Sequence, residues 1–451
     1  MRRSLAIAGA GLFACAAVGT PLHAQGSAVD QQSACMTGRV GAGVASPCDD
    51  ASGIYFSPAG LAQQGSAFSV GVTLVNAGND FTYDVGAAPA GSPTRIERDR
   101  ETVPVPQAFL SYKVHPRLAA GIGVFAPFGL GIKWPVCSLE SSPGGCGDGG
   151  ENFEGRYTGY DNALRAVMIQ PTLSFDLIPG RLSVGAGLDY VRGSIEVHQR
   201  ADAPTIGLRG RDVADVTLKG DGTGLTANVG AILHVGQNTS IGVRYLHSTE
   251  IDFTGDAAFV QVPTGTIFDP ILAAQFATGG PFTNQGIATS IKFPHQLVAG
   301  ISFRPVEVLN LLFDYQRTGW SSFDQFDVDF QGTSPDRVLT LDYRDTNTYR
   351  LAADFMYSDA LSFRAGFRYN TAATPRATPF LPEGERNYYT AGIGWRVTRA
   401  LSADFAYQYI NQPTRRGAVR PDEPSIGTYD AFGQTFGFTL AYRWGARPMG
   451  Q

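Results

Sequence analysis

Leu361-Ser362-Phe363-Arg364-Ala365-Gly366-Phe367-Arg368-Tyr369 alternates fatty and polar side chains without a break. Successive side chains of a strand point to opposite sides, so Leu361, Phe363, Ala365, Phe367 and Tyr369 share one face and Ser362, Arg364, Gly366 and Arg368 the other. The pattern recurs: Tyr389, Ala391, Ile393, Trp395 and Val397 oppose Thr390, Gly392, Gly394 and Arg396, and Leu401 to Tyr409 and Phe436 to Trp444 alternate likewise. A soluble sandwich also alternates, but it rarely sets two arginines on one face while ringing the ends of the other with Tyr and Trp. Strands with lipid outside and water inside do so.

The chain opens with Arg2 and Arg3, an apolar run from Leu5 to Val18, Pro21 and a small-residue exit at His23-Ala24. This reads as a secretory signal peptide over residues 1–24. A buried N-terminal helix is the alternative; the charged start and the abrupt polar change at Gln25 weigh against it. Processing takes the formal net charge from −5 to about −7, with no basic patch to attract nucleic acid. No later run reaches the roughly eighteen apolar residues of a helical span, a test that β-barrels escape.

Four cysteines survive processing, in two close pairs: Cys35 with Cys48, and Cys137 with Cys146. An even number in an oxidising compartment suggests two local disulfides, each stabilising by about 2–3 kcal/mol. Metal ligation is the alternative, but no His lies near either pair, and the six His are too scattered for a metal cluster. No cofactor is expected.

Fourteen candidate strands fall between residues 67 and 444, among them 117–133, 181–198, 289–304, 307–330, 400–411 and 433–444. Short turns such as His115-Pro116, Pro179-Gly180, Gly236-Gln237, Ser358-Asp359 and Thr398-Arg399 alternate with excursions at 84–101, 134–159, 199–217, 257–288, 372–385 and 412–432. An even strand count with short turns on one side and long loops on the other matches outer-membrane barrels, both termini facing the periplasm. Residues 25–65 are rich in Gly, Ala and Ser and do not alternate. A cylinder of this size encloses more space than its inward side chains fill, so this segment is the candidate plug. The expected fold is all-β: a 14-stranded antiparallel transmembrane β-barrel over 66–445, plugged by an N-terminal hatch over 25–65, with an extension over 446–451. The pairs Gly121 with Gly123 and Gly185 with Gly187 read as flat patches where hatch or loop backbone approaches the wall, since no phosphate-loop helix follows them.

The stretch Asp50-Ala51-Ser52-Gly53-Ile54-Tyr55-Phe56-Ser57-Pro58-Ala59-Gly60-Leu61 resembles the hatch signature of the FadL/TodX outer-membrane transporters, with Ser57 where that pattern has Asn. Further pieces resemble the same family in order: Pro127-Phe128-Gly129-Leu130, Phe253-Thr254-Gly255-Asp256, Phe293-Pro294, Gly319-Trp320-Ser321-Ser322-Phe323, Arg344-Asp345-Thr346 and Pro379-Phe380-Leu381-Pro382. The family commonly stops at an aromatic residue, which the insertion machinery reads; here Gly445 to Gln451 follow Trp444. The resemblance implies a monomer in the outer membrane of a Gram-negative cell, in contact with its lipid or with detergent, taking up long-chain fatty acids or aromatic hydrocarbons passively. Substrate would adsorb among apolar loops, enter a lumen pocket closed by the hatch, and leave sideways where the third strand kinks.

Pro127 lacks a backbone donor and Gly129 a side chain, so ladder pairing should weaken mid-strand; the alternative is that Pro127 ends the strand. Ser57, Pro58, Ala59 and Gly60 would take part in gating. Loop 257–288 is unusually greasy, and from Asp269-Pro270 its apolar residues Phe268, Ile271, Leu272 and Phe276 follow helical spacing. Such a helix either captures lipid-like substrate or packs on loop 134–159. Ile54, Phe56, Leu61, Phe125, Phe128 and Leu130 are the candidates for the deeper pocket, where burial yields about 0.8 kcal/mol per methylene. Arg192, Arg364 and Arg368 are expected to face the lumen, there either to meet a carboxylate head group or to join Asp/Glu networks. A general porin and an outer-membrane lipase are the competing readings. The lipase lacks any His-x-Ser; the nearest spacing is His247 with Thr249, a weak nucleophile.

Overall fold

The computed structural model describes residues 30–89, 92–136, 152–323, 325–340, 342–420 and 423–444. The expected signal peptide and the 446–451 extension lie outside the described residues. So does the second expected disulfide: Cys137 and Cys146 both fall in the stretch 137–151, and the described residues hold one of the two expected bridges, Cys35–Cys48.

Strands β1 (Ser66–Tyr83), β2 (Thr102–His115), β3 (Leu118–Lys133), β4 (Asp161–Ile178), β5 (Leu182–Ala201) and β6 (Ala214–Val235) follow one another. The next four are each in two pieces: β7 (Thr239–Leu246, Thr249–Gln261), β8 (Gln285–Phe293, Gln296–Val306), β9 (Leu309–Thr318, Gln325–Phe330) and β10 (Arg337–Thr340, Thr346–Met356). β11 (Leu361–Asn370), β12 (Arg386–Arg396), β13 (Leu401–Gly417) and β14 (Gly427–Trp444) complete the wall. Neighbours are antiparallel throughout, and β14 pairs with β1 from Ser66↔Trp444 to Tyr83↔Gly427. The result is a closed fourteen-stranded barrel, in which every strand has partners on both sides, as a membrane demands.

The alternation of β11 has its expected consequence: Phe363 and Phe367 stand on the outer surface while Arg368 is buried in the lumen. Tyr190, Tyr349, Tyr389 and Tyr409 are exposed seven or eight residues above the turn ends of their strands, and Tyr112, Trp395 and Tyr442 within three residues of those ends, as two interfacial girdles would be.

Several boundaries differ from the sequence reading. β8 breaks at Pro294, which lacks an N–H, and its first piece begins at Gln285. The strand expected over 307–330 stops at Thr318, where Gly319 packs against the His295 ring, and resumes at Gln325 after a 3₁₀ turn at Trp320–Ser322. The excursion expected over 412–432 shrinks, because β13 and β14 stay paired through a bulge at Gln412/Arg415 as far as Gly417↔Gly427. Arg192 is corrected too: it is exposed on the outer face of β5, in phase with the exposed Leu188 and Tyr190, while Val191 and Gly193 point inward.

Candidate functional site

Residues 30–64 lie inside the barrel as two short helices, α1 (Ala34–Gly38) and α2 (Gly53–Phe56), followed by a 3₁₀ turn over Pro58–Gln63. α1 contacts β11 to β14 and the 3₁₀ turn contacts β3 to β6, so the segment crosses the lumen. A Cys35–Cys48 disulfide, Cα–Cα 6.3 Å, joins α1 to the chain before α2.

Glycines in the wall let this backbone approach. A Cβ on Gly185 would meet the Pro58 carbonyl carbon at 2.4 Å, and one on Gly121 the Ile54 side chain at 2.9 Å. Polar groups then fix the position. Asp314 accepts the Gly43 and Val44 amides at 2.8 and 3.1 Å, Thr390 donates to the Gly38 carbonyl at 2.9 Å, and Gln170 donates to that of Ile54 at 2.7 Å. Asp30 pairs with Arg350, at 3.0 Å, and with Arg368; Arg39 pairs with Asp354, which Arg364 also reaches at 3.3 Å. Arg364 and Arg368 are thus engaged by Asp carboxylates. Removing one partner from such a buried pair typically costs about 3–5 kcal/mol.

Of the residues in the Asp50–Leu61 motif, Ser57 donates to the Val44 carbonyl at 2.7 Å, tying the turn to a chain thirteen positions away. Ala59 accepts from Ser174 at 3.0 Å, and Gly60 lies under the Pro47 ring, where a Cβ would come within 2.3 Å. Leu61 is fully buried inside the segment against Gly53.

Above the segment the lumen is aromatic. Tyr55 contacts Phe56 and Phe125 at ring separations of 4.9 and 5.1 Å, and Phe128 of β3 meets Phe293 of β8 at 4.7 Å. Beyond them, at the long-loop end, is an apolar cavity of about 30 Å³ lined by Leu130, Leu164, Ile195, Ile291, Phe323 and Tyr343, among others. A cavity that takes benzene measures roughly 150 Å³, so occupancy needs side chains to move.

Helix α3 (Asp269–Gln275) forms where the spacing predicts it, with Pro270 in its first turn. Leu272 joins the core, Phe268 and Phe276 are half-buried, Phe276 packs near Phe282 at 5.2 Å, and Ile271 is 59 % exposed. Hydrogen bonds from Thr264 and Gly265 hold the Asp269 carboxylate below its ordinary pKa. Nearby loops are tied by Arg420–Asp202 at 2.9 Å and Arg156–Asp212 at 2.9 Å. Burial would raise the Asp202 pKa, but Arg420 and the Gly210 amide bring it down.

The wall is interrupted between β2 and β3. These strands pair only from Ala108↔Val124 to His115↔Leu118, whereas Thr102–Gln107 pair with β1 alone and β3 beyond Val124 with β4 alone. The β3–β4 register slips by one residue between Phe125 and Phe128, so Ala126 and Pro127 form a bulge, and the strand then continues to Lys133 with Gly129 opposite Arg165. Pro127 therefore does not end the strand. Gln32 of the inner segment donates to the Ala126 carbonyl at 2.8 Å, linking lumen and bulge. The other edge holds Pro104 and Pro106, two residues without an amide N–H that the sequence reading passed over.

Residues 15–443 match the model of the outer membrane protein transport family OMPP1/FadL/TodX. The chain belongs to this family. Among its relatives, outer membrane protein P1 of Haemophilus influenzae is 23 % identical over 411 residues, 83 % of each chain. An outer membrane protein of Neisseria meningitidis is 23 % identical over 382 residues, 80 % of this chain and 81 % of that one. A Pseudomonas aeruginosa FadL homologue superposes with a TM-score of 0.78 at 20 % identity, over 93 % of this chain and 99 % of its own. The Pseudomonas putida toluene transporter TodX does so with 0.69 at 15 % identity, over 94 % and 100 %. These likenesses, and the barrel itself, place this family member in the outer membrane. Asp30, Asp314, Arg244, whose guanidinium lies over the Tyr55 ring at 4.3 Å, and the β2 prolines are residues at the inner segment and the ladder break that sequence reasoning missed. The prolines alone carried a local signal, two missing donors in an otherwise regular strand.

Proposed function

We propose that this family member carries hydrophobic compounds through the outer membrane passively, from the loop surface around α3 through the apolar cavity to a lateral exit between β2 and β3. The observation that carries the reading is the position of the ladder break. Phe125 and Phe128 flank the bulge and face the lumen, one against Tyr55 of the inner segment and the other beneath the Leu130-lined cavity, so an apolar path meets the wall where the wall is unpaired. The inner segment serves as the hatch that keeps the path from opening straight to the periplasm. TodX, a toluene transporter, supports small aromatic hydrocarbons as one substrate class, and the family resemblance of the hatch motif implies long-chain acids as another. A porin for polar solutes fits less well, because charged and aromatic contacts fill the lumen at the inner segment.

Pro127→Val combined with Gly129→Val restores a donor and side-chain bulk to β3. Uptake of toluene and of laurate by cells relying on this protein should fall at least tenfold, at unchanged surface amounts of heat-modifiable barrel. Undiminished uptake rejects the lateral exit.

A further inference from the structure

The upper end of the β2/β3 break holds a buried cation that forms no ion pair among the described residues. Arg98 follows the short strand Arg95–Glu97, which continues the β2 line along β1 through Asp80↔Glu97 and Thr82↔Arg95. Its N–H donates to the Asn79 carbonyl at 3.1 Å, and the N–H of the next residue, Asp99, donates to the Lys133 carbonyl at 3.0 Å. That last bond reconnects the two edges above the break. The Arg98 side chain is only 5 % exposed, enters no ion pair among the described residues, and has an Nε without a hydrogen-bond partner. With the Asn79 amide oriented to satisfy both groups, Nη1 donates to its oxygen at 3.0 Å. Arg100 stands nearby, exposed and stacked over Phe432 at 4.8 Å. Burial, with Arg100 beside it, outweighs the attraction of the neighbouring Asp99 and lowers the Arg98 pKa to about 10, which leaves it cationic at neutral pH.

A buried charge is ordinarily paired, as Arg350 and Arg368 are with Asp30; Arg244, buried without an ion pair among the described residues, is held instead by Asn228, Gln296 and the Tyr55 ring. Arg98 stands at the upper end of that gap, next to the Asp99–Lys133 bond that closes it, and the gap below has an apolar floor. Val75 of β1, Val105 of β2 and Ala126 of the bulge form a small apolar cluster of their own, separate from the main core, along the inner side of the unpaired edges.

We propose that Arg98 receives the anionic head group of a single-chain amphiphile lying in the β2/β3 gap, with the alkyl chain against Val75, Val105 and Ala126. The inference rests on the lateral route proposed above and adds to it a preference for carboxylate- or phosphate-headed ligands. A head held at the outer end with the tail running down the wall is also the orientation of an amphiphile in the outer leaflet.

The test is calorimetric titration of the full barrel in zwitterionic nanodiscs with laurate and with uncharged dodecanol, for wild type, Arg98→Gln and Arg98→Lys. Arg98→Gln should lower the laurate-to-dodecanol affinity ratio about tenfold, the size of one lost hydrogen bond to a charged group, and Arg98→Lys should recover part of it. A second arm adds lipid A: displacement of laurate from wild type but not from Arg98→Gln assigns the site to a lipid phosphate as well as to a free carboxylate. An unchanged ratio with no displacement overturns the site while leaving transport standing. Wild type that binds neither laurate nor dodecanol overturns the transport reading, and the site with it.

Discussion

A Cβ on Gly242 would lie 2.4 Å from the carbonyl oxygen of Val44, so wall and inner segment touch backbone to backbone. Asp314 completes the contact by accepting the Gly43 and Val44 amides. Gly242→Val should push residues 43–45 off the wall, and Asp314→Ala should leave two buried amides unpaired at about 1–3 kcal/mol each. Both variants are expected to assemble as barrels and to conduct ions in planar bilayers several-fold better than wild type. Wild-type conductance in Gly242→Val would reject the inner segment as the barrier.

The Cys35–Cys48 bridge should make the 36–47 stretch rigid without stabilising the wall. Its loss in Cys35→Ser costs about 2–3 kcal/mol of local order. Limited proteolysis followed by mass spectrometry should then find cleavage within 36–47 while the barrel remains heat-modifiable. Cleavage at the wild-type rate would show that wall contacts alone hold the segment.

The barrel was legible because period two is imposed by the medium: each strand has lipid on one side, so Phe363 and Phe367 could not be mistaken for inward residues. Gly185 was legible as a close approach because its strand is otherwise regular. The break in β9 was less so, since the partner of Gly319 is His295, which lies in the break of β8, and no local pattern announces that contact. Arg192 went wrong for a related reason. Charge suggested the lumen, but its parity with Leu188 and Tyr190 puts it outside, near the girdle, where a long guanidinium side chain reaches the polar layer. The inner-segment acids were hidden because Asp30 and its partners Arg350 and Arg368 are more than three hundred residues apart in sequence.

The apolar cavity gives a third prediction. Leu164→Trp fills it from β4 and Ile195→Ala enlarges it from β5, the first blocking and the second relaxing the same space. Toluene uptake should fall several-fold in Leu164→Trp and be retained in Ile195→Ala, with circular dichroism unchanged. Equal uptake in all three proteins would place the path elsewhere.

Pro104 and Pro106 supply the last. Amides of alternate strand residues point to opposite neighbours, and the Lys113 N–H donates towards β1, to Ser66 at 2.9 Å. Positions 104 and 106 have the other parity, so the donors they lack are those that would face β3. Pro104→Thr with Pro106→Thr restores both on an edge already held in register by β1. The strands should then pair past Ala108↔Val124, seen as slowed amide exchange over 104–107, and hydrocarbon uptake should drop with it. Slowed exchange with full uptake would mean that substrate leaves by another route; unchanged exchange would mean that the Ala126-Pro127 bulge alone keeps the edges apart.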